Sequence, residues 1–164
     1  MYAHNAVALP FKQRTSRRFV ALDIENINGG AVGHALLADA AWRDVATAID
    51  LVEDEHVVIG VGPSSLLAAG TSHPGARLVM GRGPSGADHA LIEVLSDEHV
   101  AERFDEIVIA SGDGIFADVA ARLALEGAKV TIVARVGHLS TRLRLAAGSV
   151  VLLADHAPLI GKVA

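Results

Sequence analysis

Ile107-Val108-Ile109-Ala110-Ser111-Gly112-Asp113-Gly114-Ile115-Phe116-Ala117-Asp118 is the stretch that decides the fold. Four apolar or small residues run into a Ser-Gly-Asp-Gly turn. A short apolar run closed by glycines reads as a buried strand. Beyond the turn, Ala117, Ala120, Ala121, Leu123 and Ala124 recur at helical spacing. The order strand, tight turn, helix puts Asp113 at the carboxyl end of a parallel strand, where α/β proteins hold their ligands. Asp23 and Asp88 occupy comparable places, so the three carboxylates are expected to converge.

Outward from this stretch the same rhythm repeats. Residues 18–24, 56–61, 77–80, 129–134 and 149–153 read as further strands, apolar and bounded by glycine or charge. Helical patterns fill 32–49, 63–69, 87–94 and 139–146. The segment Ile27-Asn28-Gly29-Gly30 reads as a loop that ends the first strand. Alternating strands and helices predict an α/β fold with a mostly parallel sheet and right-handed crossovers. Strands apolar on both faces predict helices on both sides, a three-layer sandwich. Residues 1–17 read as an irregular lead-in, 18–153 as one domain and 154–164 as a tail. Arg14, Arg17 and Arg18 cluster before the first strand, as a solvated terminus or a phosphate contact.

The bulk composition narrows the function classes. The chain has 164 residues, 51% of them hydrophobic, and no cysteine. Disulfides and thiolate metal sites are therefore excluded. No apolar run approaches the ~20 residues that span a bilayer. A cytoplasmic protein is expected, and the apolar composition suits a homodimer. A net charge of −5 does not fit a chain that coats nucleic acid by charge alone. It does fit an acidic site whose charge is neutralised by bound cations.

Each candidate residue also has a plain structural reading. Gly81, Gly83 and Gly86 fit the G-x-G-x-x-G pattern, which holds a pyrophosphate at a helix start in NAD or FAD proteins. Here, however, the pattern comes after the third strand, and Pro84 removes one of the amides. The simpler reading is a glycine-rich turn that presents Asp88. Asp88 itself lies in a first helical turn, where the helix dipole favours a carboxylate. Asp23 ends the first strand, where a half-buried carboxylate is costly unless paired or metal-bound; a loop cap is the alternative. Asn26 could bond the loop or position a phosphate, and Glu25 could share the site or face solvent. Asp113 or Ser111 could cap the next helix. Asp118 could face solvent. The eight histidines lack ligand spacing, and no nucleophile elbow or Walker loop is present.

Taken together, these residues resemble the NYN domains, a group within the PIN-like ribonucleases. Val20-Ala21-Leu22-Asp23-Ile24-Glu25-Asn26 resembles their opening D-x-x-N motif. Gly86-Ala87-Asp88-His89-Ala90-Leu91 resembles their Gly-x-Asp segment, and Ile107 to Phe116 their S-G-D-x-D-F signature. The resemblance covers roughly residues 18–153. It implies a PIN-like, Rossmannoid fold with an acidic pocket above the strand ends, and divalent-metal-dependent cleavage of RNA. Carried over by motif, Asp23, Asp88 and Asp113 would form the metal site, with Asn26 and Ser111 as polar neighbours. The chain departs from the signature at Ile115, where the family has a second aspartate. Asp118 or Glu25 are the available substitutes.

Mg²⁺ or Mn²⁺ suits such a site, because hard cations take oxygen ligands and bridge carboxylate to phosphate. Arg82, Arg135, Arg142 and Arg144 are candidate RNA-backbone contacts, against ordinary surface charge as the alternative. The leading expectation is a metal-dependent ribonuclease acting on single-stranded or structured RNA. The alternatives are a catalytically weakened RNA-binding or protein-interaction module and, more distantly, a nucleotide-cofactor enzyme using the Gly81–Gly86 loop.

Overall fold

The computed structural model describes residues 17–154. Arg14, the rest of the lead-in through residue 16, and the tail from residue 155 lie outside the described residues. The elements run β1 (Arg18–Asp23), α1 (Ile24–Asn28), α2 (Ala35–Ala48), β2 (His56–Val61), α3 (Leu66–Ser72), β3 (Arg77–Met80), α4 (Gly86–Asp97), α5 (Val100–Arg103), β4 (Glu106–Ala110), α6 (Ala117–Leu125), β5 (Lys129–Arg135), α7 (Thr141–Ala146) and β6 (Ser149–Leu153). A single 3-10 turn, Gly114–Phe116, joins β4 to α6. No helix among the described residues is long and apolar enough to cross a membrane.

Six strands form one parallel sheet in the order β3-β2-β1-β4-β5-β6. β1 is central, and all six of its residues are buried. Its register sets Leu22 beside Ile59 on β2 and Ala110 on β4. Side chains alternate across the pleat, so the inner strands feed two cores, while the edge strand β6 packs only Val151 and Leu153 and leaves Val150 and Leu152 exposed. Phe19, Ala21, Ile107, Ile109, Val130 and Ile132 cluster with Leu91 and Leu95 of α4 and Leu123 of α6. Val20, Leu22, Ile59, Val108 and Val133 cluster with Ile24 and Ile27 of α1, Val45 of α2 and Ala69 of α3. The expected three layers arise from strands that are apolar on both sides.

Three local features refine or correct the sequence expectation. Residues 24–28 form a helical turn rather than a loop. Asp23 caps its start by accepting the Asn26 amide, and Gly29 closes it at φ 81°, in the left-handed region that favours glycine. The turn after Asp113 takes 3-10 form, and α6 starts at Ala117, where the helical spacing begins. α5 is an additional short turn before β4. Of the Arg14, Arg17 and Arg18 cluster, Arg14 lies outside the described residues and the other two have different settings. Arg18 is buried, donates to the Ile49 and Asp50 carbonyls and pairs with Glu55, whereas Arg17 is exposed.

The glycines at the strand ends let helix α4 approach the sheet. A Cβ on Gly60 would stand 2.6 Å from Leu91 and 3.0 Å from the Ala87 carbonyl oxygen. Gly81 and Gly86 lie backbone to backbone, and a Cβ on Gly81 would come within 1.8 Å of the Gly86 oxygen. The glycine-rich turn is thus a close-packing device that delivers the first turn of α4, and Asp88 with it, to the end of β1. Gly81→Ala is expected to lower unfolding stability by about 2–3 kcal/mol, because the clash is with backbone. Gly83→Ala meets no neighbouring atom but sits at φ 78°, and should cost about 1 kcal/mol. Urea denaturation of the two variants would check the ranking.

Candidate metal centre at the strand ends

The chain reverses direction along the sheet between β1 and β4. From β1 it builds outward through β2 and β3; from β4 it builds the other way through β5 and β6. Ligands in open α/β sheets bind where such a reversal opens a crevice at the carboxyl ends of the strands. Asp23 ends β1, and Ser111-Gly112-Asp113 lies just past β4, so both walls of this crevice carry polar groups.

Those walls are bonded to each other. Asp23 is 3% exposed. One of its carboxylate oxygens accepts the Asn26 amide at 3.1 Å, and the other accepts the Ser111 hydroxyl at 2.9 Å. The Ser111 oxygen in turn accepts the Asp113 amide at 3.2 Å. The Asn26 side-chain oxygen accepts the Gly112 amide at 2.8 Å. Asp88 comes from α4 and lines the same hollow as Asp23, near enough for its charge to act on the Asp23 carboxyl. Asp113 is exposed at the rim, where one oxygen caps the 3-10 turn through the Ile115 amide at 3.0 Å. A hollow of about 170 Å³ is lined by Asp23, Asp88, Asp113, Glu25 and Asn26, with Gly62 and the start of α4 completing it.

The electrostatics are those of carboxyls crowded together. Burial pushes the Asp23 carboxyl from 3.8 up to about 7, and the Asp88 charge pushes in the same direction. The bonds from the Asn26 amide and the Ser111 hydroxyl oppose the rise without cancelling it. A cation would reverse the balance, since an opposite charge favours the ionised carboxylate.

Other sequence candidates are placed elsewhere. Asp118 is on the outer face of α6, whose buried residues are Ala117, Val119, Ala120 and Leu123, and it pairs with Arg142 on α7. It does not replace the acid missing at Ile115, which packs partly into the core. Arg135 is buried and structural. It donates to the Ile27 and Ala154 carbonyls and pairs with Asp44, so it is not available to an RNA backbone. Arg144 is exposed on α7. Arg82 belongs to the loop whose Gly83 and Ser85 line the hollow, and it is exposed there. Glu25 does enter the site, but one of its oxygens accepts the Gly62 amide at 3.0 Å and the Ser65 hydroxyl. Gly62 and Ser65 were not singled out from the sequence. Their signal was positional: a parallel neighbour of β1 brings the turn after β2 beside the turn after β1.

A larger cavity of about 610 Å³ opens near the amino ends of β2 and β3, beside the Trp42–His73 stack. It brings together no comparable set of acids, and its Glu55 is tied to Arg18. Size and chemistry therefore point to opposite ends of the sheet, and chemistry decides in favour of the smaller hollow.

No protein-family model and no curated protein matches the chain. Among solved structures, a protein of unknown function from Vibrio parahaemolyticus is similar. The match has a TM-score of 0.59 at 16% identity and covers 87% of this chain and 97% of that one. At that identity the likeness is one of fold: an α/β arrangement with a parallel sheet flanked by helices.

The donor set suits a hard cation. Among the described residues no three His, Asp or Glu side chains are arranged to hold a metal ion together. The buried Asp23 and the half-buried Asp88 nonetheless could offer what Mg²⁺ asks of a protein, one or two carboxylates with the remaining positions left to water and phosphate.

The raised Asp23 carboxyl makes stability depend on pH. Its folded value lies above the unfolded one, so its contribution is fully present below about pH 4 and is lost as pH rises through about 7. Asp23→Asn removes that loss. Relative to wild type, the variant should gain stability between pH 4 and 7 and then level off, by at most about 4 kcal/mol. Denaturation at pH 4.5, 6 and 8 checks this; parallel curves for the two proteins would contradict it.

Proposed function

We propose that this chain is a divalent-metal-dependent endoribonuclease of the NYN type, with a PIN-like arrangement of its site. The observation that carries the reading is the meeting of Asp23, Asp88 and Asp113 in one hollow at the switch point, from three separate elements. Their order and settings agree with the three motifs by which the sequence resembles that family, Ile115 being the departure.

Each residue has work that its bonds define. Asp23 and Asp88 would hold Mg²⁺ or Mn²⁺. Such an ion, when bound, supplies polarisation of a phosphoryl oxygen and an activated water. Ser111 and the Asn26 amide fix the rotamer of Asp23, so that its carboxylate is oriented before any ligand arrives. Asn26 pins Gly112 and thereby fixes where Asp113 leaves the sheet. Asp113 uses one oxygen on the Ile115 amide, which leaves the other for a water or for a proton from it. Arg82, on the loop beside the hollow, is placed for an RNA phosphate. Of the four arginines considered, its position favours that role most.

Ile115 favours a second reading, a relative that binds RNA with little or no cleavage. One assay separates the two. With Mn²⁺ and labelled single-stranded RNA, the first reading expects cleavage that falls about a hundredfold or more in Asp23→Asn and Asp88→Asn. It also expects Asp118→Asn, which lies outside the hollow, to stay close to wild type. RNA retention without cleavage under any divalent ion would support the second reading, and neither binding nor cleavage would remove both.

A further inference from the structure

We propose, building on the reading of this hollow as a metal centre, that Glu25 is a positioning residue that fixes α1 against the turn after β2 and is not a ligand. α1 is five residues long, too short to hold its own shape. Its place is set by three side chains that bond in different directions. Asp23 reaches Ser111, Asn26 reaches Gly112, and Glu25 reaches the opposite wall at Gly62 and Ser65. On that wall the bonds form a relay. The Val32 amide donates to the Ser65 hydroxyl oxygen at 2.9 Å, and the Ser65 hydroxyl and the Gly62 amide both donate to the same Glu25 oxygen, Oε1. Ser65 is fully buried, so the inner end of the relay is shielded from water, while the Glu25 end is half-buried at the wall of the hollow. The glycine at position 62 has a steric reason: a Cβ there would lie 2.9 Å from Glu25 Oε1. Two donors occupy the two lone pairs of that oxygen. Glu25 therefore lies in the hollow with its head tied to the wall, and α1 is held from both sides. Without that tie, the side-chain bonds that hold the turn are those of Asp23 and Asn26 to the segment after β4 and that of Arg135 to the Ile27 carbonyl, and none reaches the turn after β2.

Glutamine in this position keeps a side-chain oxygen for both donors and removes the charge, whereas alanine removes the tie. Glu25→Gln is thus expected to match wild type in Mn²⁺ affinity by calorimetry and in amide exchange at Gly62 and Gly112. Glu25→Ala should weaken Mn²⁺ binding about tenfold and lower kcat more than it raises KM. It should also speed exchange at the Gly112 amide, which Glu25 does not touch and whose acceptor is Asn26. Gly62→Ala reaches the same contact from the other side and should reproduce the exchange change if Glu25→Ala fails to fold. Loss of Mn²⁺ affinity in Glu25→Gln with both amides still protected would make Glu25 a ligand and overturn the proposal. So would unchanged Gly112 exchange in Glu25→Ala. A wild-type protein that binds no Mn²⁺ would overturn the metal reading alone, because the Gly112 comparison needs no ion.

Discussion

A carboxyl group buried at the end of the central strand is the constraint around which this molecule is organised. Asp23 has 3% of its surface exposed, and a group of this kind is costly to bury unless its oxygens are satisfied. Both are satisfied, one by the backbone of its own α1 turn and one by Ser111 across the crevice. Those two bonds do structural work in addition to solvating the acid. The first nucleates a helical turn that the local sequence would not sustain. The second joins β1 to the segment after β4 at the one point where the sheet topology would otherwise leave a gap. The hydroxyl that satisfies Asp23 also receives the Asp113 amide, so the position of one acid depends on the other through a single buried oxygen.

What the bonds do not relieve is the proximity of Asp88. A well-bonded carboxylate alone would titrate low; here burial and a second acid outweigh the bonds, and Asp23 is left near pH 7. A protein selected only for stability would remove this by replacing one acid with an amide. Retaining both leaves a pair that gains from a cation and releases a proton on receiving it. The lost stability is consistent with a site kept for chemistry, since residues that break a local rule are expected at functional positions.

The sheet was legible because its signals are local. β2, β3, β4 and β6 have the bounds that their apolar runs and flanking glycines predict, and β1 and β5 differ by one residue. The acids were legible because each stands at a strand end or a helix start. What could not be read depends on partners far along the chain. Arg135 at the end of β5 looks like surface charge until Asp44, 91 positions away, is brought against it. Asp118 looks available until α7 supplies Arg142. Glu25 was ambiguous because its fate rests on Gly62 and Ser65, which neighbour it only once β1 and β2 pair. The α1 turn is legible only in part: Asp23 and Gly29 cap it locally, but Asn28-Gly29-Gly30 reads as loop, and the ties of Glu25 and Asn26 come from distant segments.

The strand order β3-β2-β1-β4-β5-β6 is also the order of dinucleotide-binding folds, so the sheet alone does not choose between a cofactor and a cation. The turn after β1 bears on the dinucleotide side of that choice. A dinucleotide needs glycines there, so that backbone can approach the pyrophosphate at a helix start. This chain puts Asp23-Ile24-Glu25-Asn26 in that place, with a carboxylate where the phosphate would need an amide. Its glycine-rich turn comes after β3 instead, and Gly81 and Gly86 are packed against each other. An anion entering the crevice would meet Asp113 at the rim and Asp88 behind it before it reached Asp23, and acidic charge would repel it. On the proposed reading, a phosphodiester would approach only with something positive between it and these acids, and the cation of that proposal would meet this requirement.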